Sequence, residues 1–181
     1  MIIGTGWITK NKYGCRKRRL QQNYSDLKSL YNRLQPDIIK YPVGNFFRFD
    51  AISKLAAISI ALALHDARIG YAQGKKQPIS LLGTSANAAL EANLFYFNDY
   101  LINGKTLARG NLFIYTLPSS PLAEAAIHFG LTGKILYLGF AKNAEKESLK
   151  YAAEMLKTES TKNMLLVQAD STAATCYLLK K

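Results

Sequence analysis

Apolar and polar positions follow two rhythms along this chain, and the switches between them mark its elements. Ile2, Ile3, Trp7 and Ile8 surround Gly4 and Gly6 and predict a strand over 1–9 whose glycines allow a close backbone approach. Leu27, Leu30, Tyr31 and Leu34 recur at helical spacing, so 24–34 reads as an amphipathic helix, and Pro36 and Pro42 mark an irregular segment after it. Residues 51–68 are apolar on nearly every face (Ile52, Leu55, Ile58, Ile60, Leu62 and Leu64 among alanines), the pattern of a helix buried on most sides. A short strand over Ile79–Leu82 follows. Leu90, Leu94, Phe97 and Leu101 then form a stripe that predicts a core-facing helix over 85–103, closed by Asn103-Gly104. Further on the pattern predicts a helix at 121–129, a strand at 135–139 and a helix at 142–156. Strands at 164–167 and 172–179 end the chain, joined by a turn short enough for an antiparallel pair.

Strands alternating with helices predict an α/β domain, and 181 residues with 49% hydrophobic and 20% charged content suit one domain over 1–181. The longest apolar run, Leu55–Leu64, falls well short of the ~20 residues a membrane span needs. Met1-Ile2-Ile3-Gly4 has no basic segment ahead of an apolar core, so no signal peptide is read. Cys15 and Cys176 have neither metal-site nor disulfide-framework spacing, which fits a reduced, cytoplasmic protein with no metal and no cofactor. The net charge of +12 adds a partner to the picture. Lys10, Lys12, Arg16, Lys17, Arg18 and Arg19 lie within ten residues that hold no acid. They read either as a solvated loop or as a docking patch for an acidic partner. Nucleic acid is the alternative, without a base-reading motif to support it.

Catalytic patterns fail one by one. Gly83-Thr84-Ser85-Ala86-Asn87 has the strand–turn–helix context of a nucleophile elbow, but Asn87 stands where the second glycine belongs. Gly4-x-Gly6 lacks the third glycine of a phosphate cradle. His65 reads as a surface histidine at a helix end, and His128 as one near a helix C-terminus, where a positive charge is favoured.

Several segments together resemble the β-ketoacyl synthases. Gly83-Thr84-Ser85 ends a strand, Phe113-Ile114-Tyr115-Thr116-Leu117-Pro118-Ser119-Ser120 follows, and Gly130-Leu131-Thr132-Gly133 closes a helix, as in that family. Arg48, Asp50, Ser53 and Ala56 match a further family motif, and Asp66, Ala67 and Ile69 match the end of its helix. The resemblance covers the N-terminal half of the family's fold. It implies a thiolase-like half: a three-layer α/β/α arrangement around a five-stranded mixed sheet. The family condenses an acyl group, held as a thioester on a cysteine, with a malonyl group on an acyl carrier protein. Its cysteine falls nine residues after the glycine that Gly133 matches, and here that place is Lys142. Lys134 replaces the family's proline, and the family's two catalytic histidines lie in a half with no counterpart here.

The resemblance therefore implies a non-catalytic, ketosynthase-like accessory protein of fatty-acid, polyketide or aryl-polyene-type synthesis. Its partners would be a ketosynthase or an acidic acyl carrier protein. The alternative is one subunit of a split acyl-condensing enzyme. The family pairs through the strand that is here Ile135, Leu136, Tyr137, Leu138 and Gly139, implying a homodimer or a heterodimer with a ketosynthase. The five charges Glu145, Lys146, Glu147, Lys150 and Glu154 add that the helix carrying them keeps one face in water rather than in a middle layer.

Overall fold

The helix α2 (Ala51–Asp66) is the element against which the others are laid. Asp50 caps it by accepting from the Ser53 amide, and twelve of its sixteen residues are buried. The computed structural model describes residues 1–107, 109–140 and 144–181. In chain order its strands are β1 (Ile2–Ile8), β2 (Lys12–Cys15), β3 (Leu20–Asn23), β4 (Ile79–Thr84), β5 (Ile135–Tyr137), β6 (Asn163–Ala169) and β7 (Ala174–Lys180). The remaining helices are α1 (Leu27–Leu34), α3 (Leu90–Leu107), the single turn α4 (Gly110–Phe113), α5 (Ser120–Phe129) and α6 (Ala144–Thr158).

The seven strands form one sheet in the order β3-β2-β1-β7-β6-β4-β5. β5, β4 and β6 run parallel, and the remaining pairs are antiparallel, including the β6–β7 pair the sequence predicts. Strand alternation sorts side chains between two cores. Leu165, Val167, Cys176 and Leu178 share a core with α1, α2 and α5. Met164, Leu166 and Leu179 form a smaller one with Ala152 and Leu156 of α6. The result is the thiolase-like α/β/α arrangement. β1 lies directly on α2, because a Cβ at Gly6 would stand 2.3 Å from the Ser59 carbonyl oxygen.

The sheet has seven strands rather than five. β2 and β3 fall within and just after the basic stretch, where the charges hide a short alternation. Only Tyr13 and Cys15 of β2 carry buried side chains of any size, against an exposed Lys12. A second difference concerns α3. Its stripe faces solvent: Leu90, Leu94, Phe97 and Leu101 are each more than half exposed. α3 packs chiefly on α4 and the turn at 114–116 and so stands off the sheet. Gly104 breaks it with φ 72°, as the sequence predicts for its end. The outer face of α6 is in water, with Glu145, Lys146, Glu147, Lys150 and Glu154 all exposed, and Ser148, Ala152 and Leu156 buried beneath.

Candidate functional site

In an open α/β sheet, ligands favour the crevice beyond the carboxyl ends of the parallel strands. Here that place lies beyond β4 and β6. A groove of about 310 Å³ is bordered there by Thr84, Ser85, Glu145, Gln168, Asp170 and Thr175. Ser85 and Tyr137 share a hydrogen bond of 2.6 Å between their hydroxyls. Burial pushes the Tyr137 hydroxyl up from its ordinary pKa, so it is a proton donor and not a base. Thr84 is 2% exposed and its hydroxyl has no partner among the described residues. Beside it a small cavity of about 20 Å³ lies between Asp50, Tyr115, Leu122 and Tyr137, room for about one water molecule.

No thiolate serves this groove. Cys15 lies on β2 and Cys176 on β7, both facing Gly6 of the intervening β1, two strands apart. That separation, near 10 Å, also excludes a disulfide between them. Burial and the nearby Asp66 carboxylate push the Cys15 thiol up to about 11, and burial alone pushes Cys176 up. Lys142, which the sequence resemblance puts at the nucleophile position, lies outside the described residues. Lys134 pairs at 2.8 Å with the buried Glu159 and so anchors the start of β5 to the end of α6.

His128 carries no charge at its helix end, contrary to the expectation from its position. It is 8% exposed among the rings of Tyr41, Tyr71 and Phe129, and burial pushes its pKa down to about 4. His65 is half-buried at the end of α2, where burial and then Arg18 and Lys40 lower its pKa.

The basic stretch is divided. Lys10 and Lys12 lie at one end of β2, and Arg16, Lys17, Arg18 and Arg19 form the β2–β3 turn at the other, about 13 Å away along the strand. All six side chains are exposed. The Asp66 carboxylate accepts the Arg18 amide at 2.9 Å, and the Arg18 Nε donates to the His65 carbonyl at 2.9 Å. These bonds fix the turn on the carboxyl end of α2.

A run of exposed large apolar side chains lies on the arm made by α3, α4 and the residues after them. Phe95, Ile102, Phe113, Ile114 and Leu117 join the four-residue stripe there, all at least half exposed. β5 adds an open sheet edge with Ile135 and Leu136 more than a third exposed. Leu138 and Gly139 follow the strand rather than belonging to it. Nine large apolar side chains in water on one arm are uncommon in a lone chain. Periodicity reveals the stripe of Leu90, Leu94, Phe97 and Leu101, and the structure shows that none of the described residues covers these side chains.

No family model and no curated protein matches the sequence. Solved structures match its fold over nearly the whole chain. One is a ketosynthase in complex with its chain length factor from Xenorhabdus doucetiae, with TM-score 0.66, 13% identity, and 100% of this chain and 78% of that one covered. Another is the ishigamide ketosynthase/chain length factor, with TM-score 0.70, 10% identity, and 99% and 61% covered. A third is a type II polyketide synthase acyl-carrier protein in complex with its ketosynthase bound to the hexaketide, with TM-score 0.66, 12% identity, and 99% and 62% covered. In two of these three the chain spans less than two thirds of the matched chain. The fold is thus that of ketosynthase structures.

Proposed function

We propose that this chain is a ketosynthase-like accessory subunit that pairs with a ketosynthase and carries out no acyl transfer itself. The observation that carries the reading is the bare apolar arm of α3 and α4 on a fold shared with subunits of ketosynthase complexes. A partner laid over that arm and paired along β5 removes both the exposed apolar surface and the open edge. The pathway in this reading is of the polyketide, aryl-polyene or fatty-acid type. Both cysteines are buried protonated thiols, which supports a supporting role over a condensing one. The basic β2–β3 turn is the docking site for an acidic acyl carrier protein, with Lys10 and Lys12 as outliers of the same field.

The test is capture of partners from the native lysate at ~150 mM salt, where contacts beyond about 8 Å are screened, with identification by mass spectrometry. Recovery of a ketosynthase with the native chain, and its loss with Leu94→Ser/Phe97→Ser/Leu101→Ser, is expected. Retention of the same ketosynthase by that variant would remove the arm from the proposal. A pure, self-associated chain that recovers no synthase would replace the heterodimer by a homodimer.

A further inference from the structure

A second cleft, of about 330 Å³, opens at the carboxyl end of α2, between the β2–β3 turn and the segments around residues 40 and 70. Arg18, Lys40, Arg68 and His65 line it, with Asp37 as its one carboxylate and Tyr71 in its wall. Among the described residues, none of the three permanent cations has a carboxylate within 4.0 Å. Each is set in place through its backbone. Arg18 is held by Asp66. The Lys40 amide donates to the Tyr71 hydroxyl at 3.1 Å, and that hydroxyl donates to the Ile38 carbonyl at 2.9 Å. Arg68 follows the helix end, where its own amide and that of Ile69 turn back to the carbonyls of His65 and Leu64.

Arg68 has φ 58°, the left-handed conformation that ordinarily calls for glycine at this place. An arginine there costs about 1 kcal/mol relative to glycine, so the turn does not account for the residue. Service to the helix dipole accounts for Arg18, whose Nε meets a terminal carbonyl. It leaves Arg68 and Lys40 over, because neither side chain makes a hydrogen bond among the described residues.

We propose that this cleft binds a phosphate group, either a free polyphosphate or the phosphate of a nucleotide-like ester. Three cations reach it from three separate segments. A tetrahedral phosphate offers oxygens in three directions and two negative charges, whereas a carboxylate offers two oxygens in one plane. The cleft is larger than one phosphate needs, which leaves room for an attached organic group. The site shares only Arg18 with the turn assigned above to a carrier protein, and it stands or falls on its own geometry.

Calorimetric titration of the full chain with pyrophosphate, ADP and citrate tests it. Saturable pyrophosphate binding is expected, weakened by about tenfold or more in Arg68→Gly. That variant removes a cation and relieves the left-handed strain, so its melting temperature should not fall. Arg16→Gln, in the same turn but outside the cleft, should bind as the native chain does. ADP binding tighter than pyrophosphate identifies an ester as the ligand, and equal binding identifies the phosphates alone. Absence of saturation, citrate binding as well as pyrophosphate, native affinity in Arg68→Gly, or an equal loss in Arg16→Gln would each overturn the proposal.

Discussion

Asp66 is 3% exposed, and its two carboxylate oxygens hold the Thr5 amide at 2.8 Å and the Arg18 amide at 2.9 Å. One side chain thereby ties β1 and the basic turn to the end of α2. Asp66→Ala leaves both amides without partners. It should cost roughly 3 kcal/mol, or about 10 °C of melting temperature for a chain of this size, with Asp66→Asn milder because one acceptor remains. Thermal unfolding followed by circular dichroism checks both. The sequence shows Asp66 only as part of a family-like helix end, since its partners lie 61 and 48 residues away. His128 makes the second prediction at this scale. It titrates at about 4 in the fold against an ordinary 6.5, so the unfolded chain takes up its proton first as the pH falls. Stability from this group is complete above 6.5 and is lost as the pH drops towards 4, by up to about 3 kcal/mol. His128→Phe keeps a ring among Tyr41, Tyr71 and Phe129 and removes the proton. Denaturant titrations between those two pH values should show a flatter acid limb for the variant, and an unchanged limb would mean that the histidine is already charged in the fold.

Elements differ in how much of them periodicity can reveal. α2 was legible because a helix apolar on all sides has nowhere to go but the interior. The strands β4, β6 and β7 and the wet outer face of α6 were legible for similar reasons. β2 and β3 were not, because four-residue strands at a sheet margin bury too few side chains to leave a pattern among so many charges. α3 shows the converse limit: an apolar stripe reports that a face is covered by something, not that the cover belongs to the same chain. The seven-stranded sheet was thus two short strands short of legible, while the apolar arm was seen and misplaced. This distinction is measurable. In a core, truncating Leu94, Phe97 or Leu101 would cost about 2–5 kcal/mol each. On an exposed arm, Leu94→Ser/Phe97→Ser/Leu101→Ser should leave the melting temperature of the isolated chain within about 5 °C, because surface changes of this kind stay near 0.5 kcal/mol each. Light scattering on the same samples should show any self-association fall. A cooperative collapse of stability would return the stripe to the core.

For the molecule as a whole, charge is distributed unevenly. Residues 1–50 carry ten Lys or Arg and three Asp, which is most of the net +12 of the chain. The apolar arm lies at Leu90–Leu117, outside that segment. Two surfaces of such different chemistry respond to salt in opposite senses. Attraction of an acidic carrier protein to the basic turn acts over the Debye length, which shrinks from about 30 Å at 0.01 M salt to about 3 Å at 1 M. Apolar contact along the arm carries no such dependence, and many salts strengthen it. Arg16→Gln/Lys17→Gln/Arg19→Gln spares Arg18, and with it the contacts to Asp66 and His65, so the fold and the cleft beside it stay intact. Surface plasmon resonance against an acyl carrier protein should show the association rate of this variant down by about tenfold at low salt, with the difference gone near 1 M. Binding to a ketosynthase, measured on the same surface, should be indifferent to the triple substitution at every salt concentration. If the carrier protein instead dissociates faster from the variant while associating at the native rate, the turn makes short-range contacts and does not steer, and the uneven charge then serves some other acidic partner.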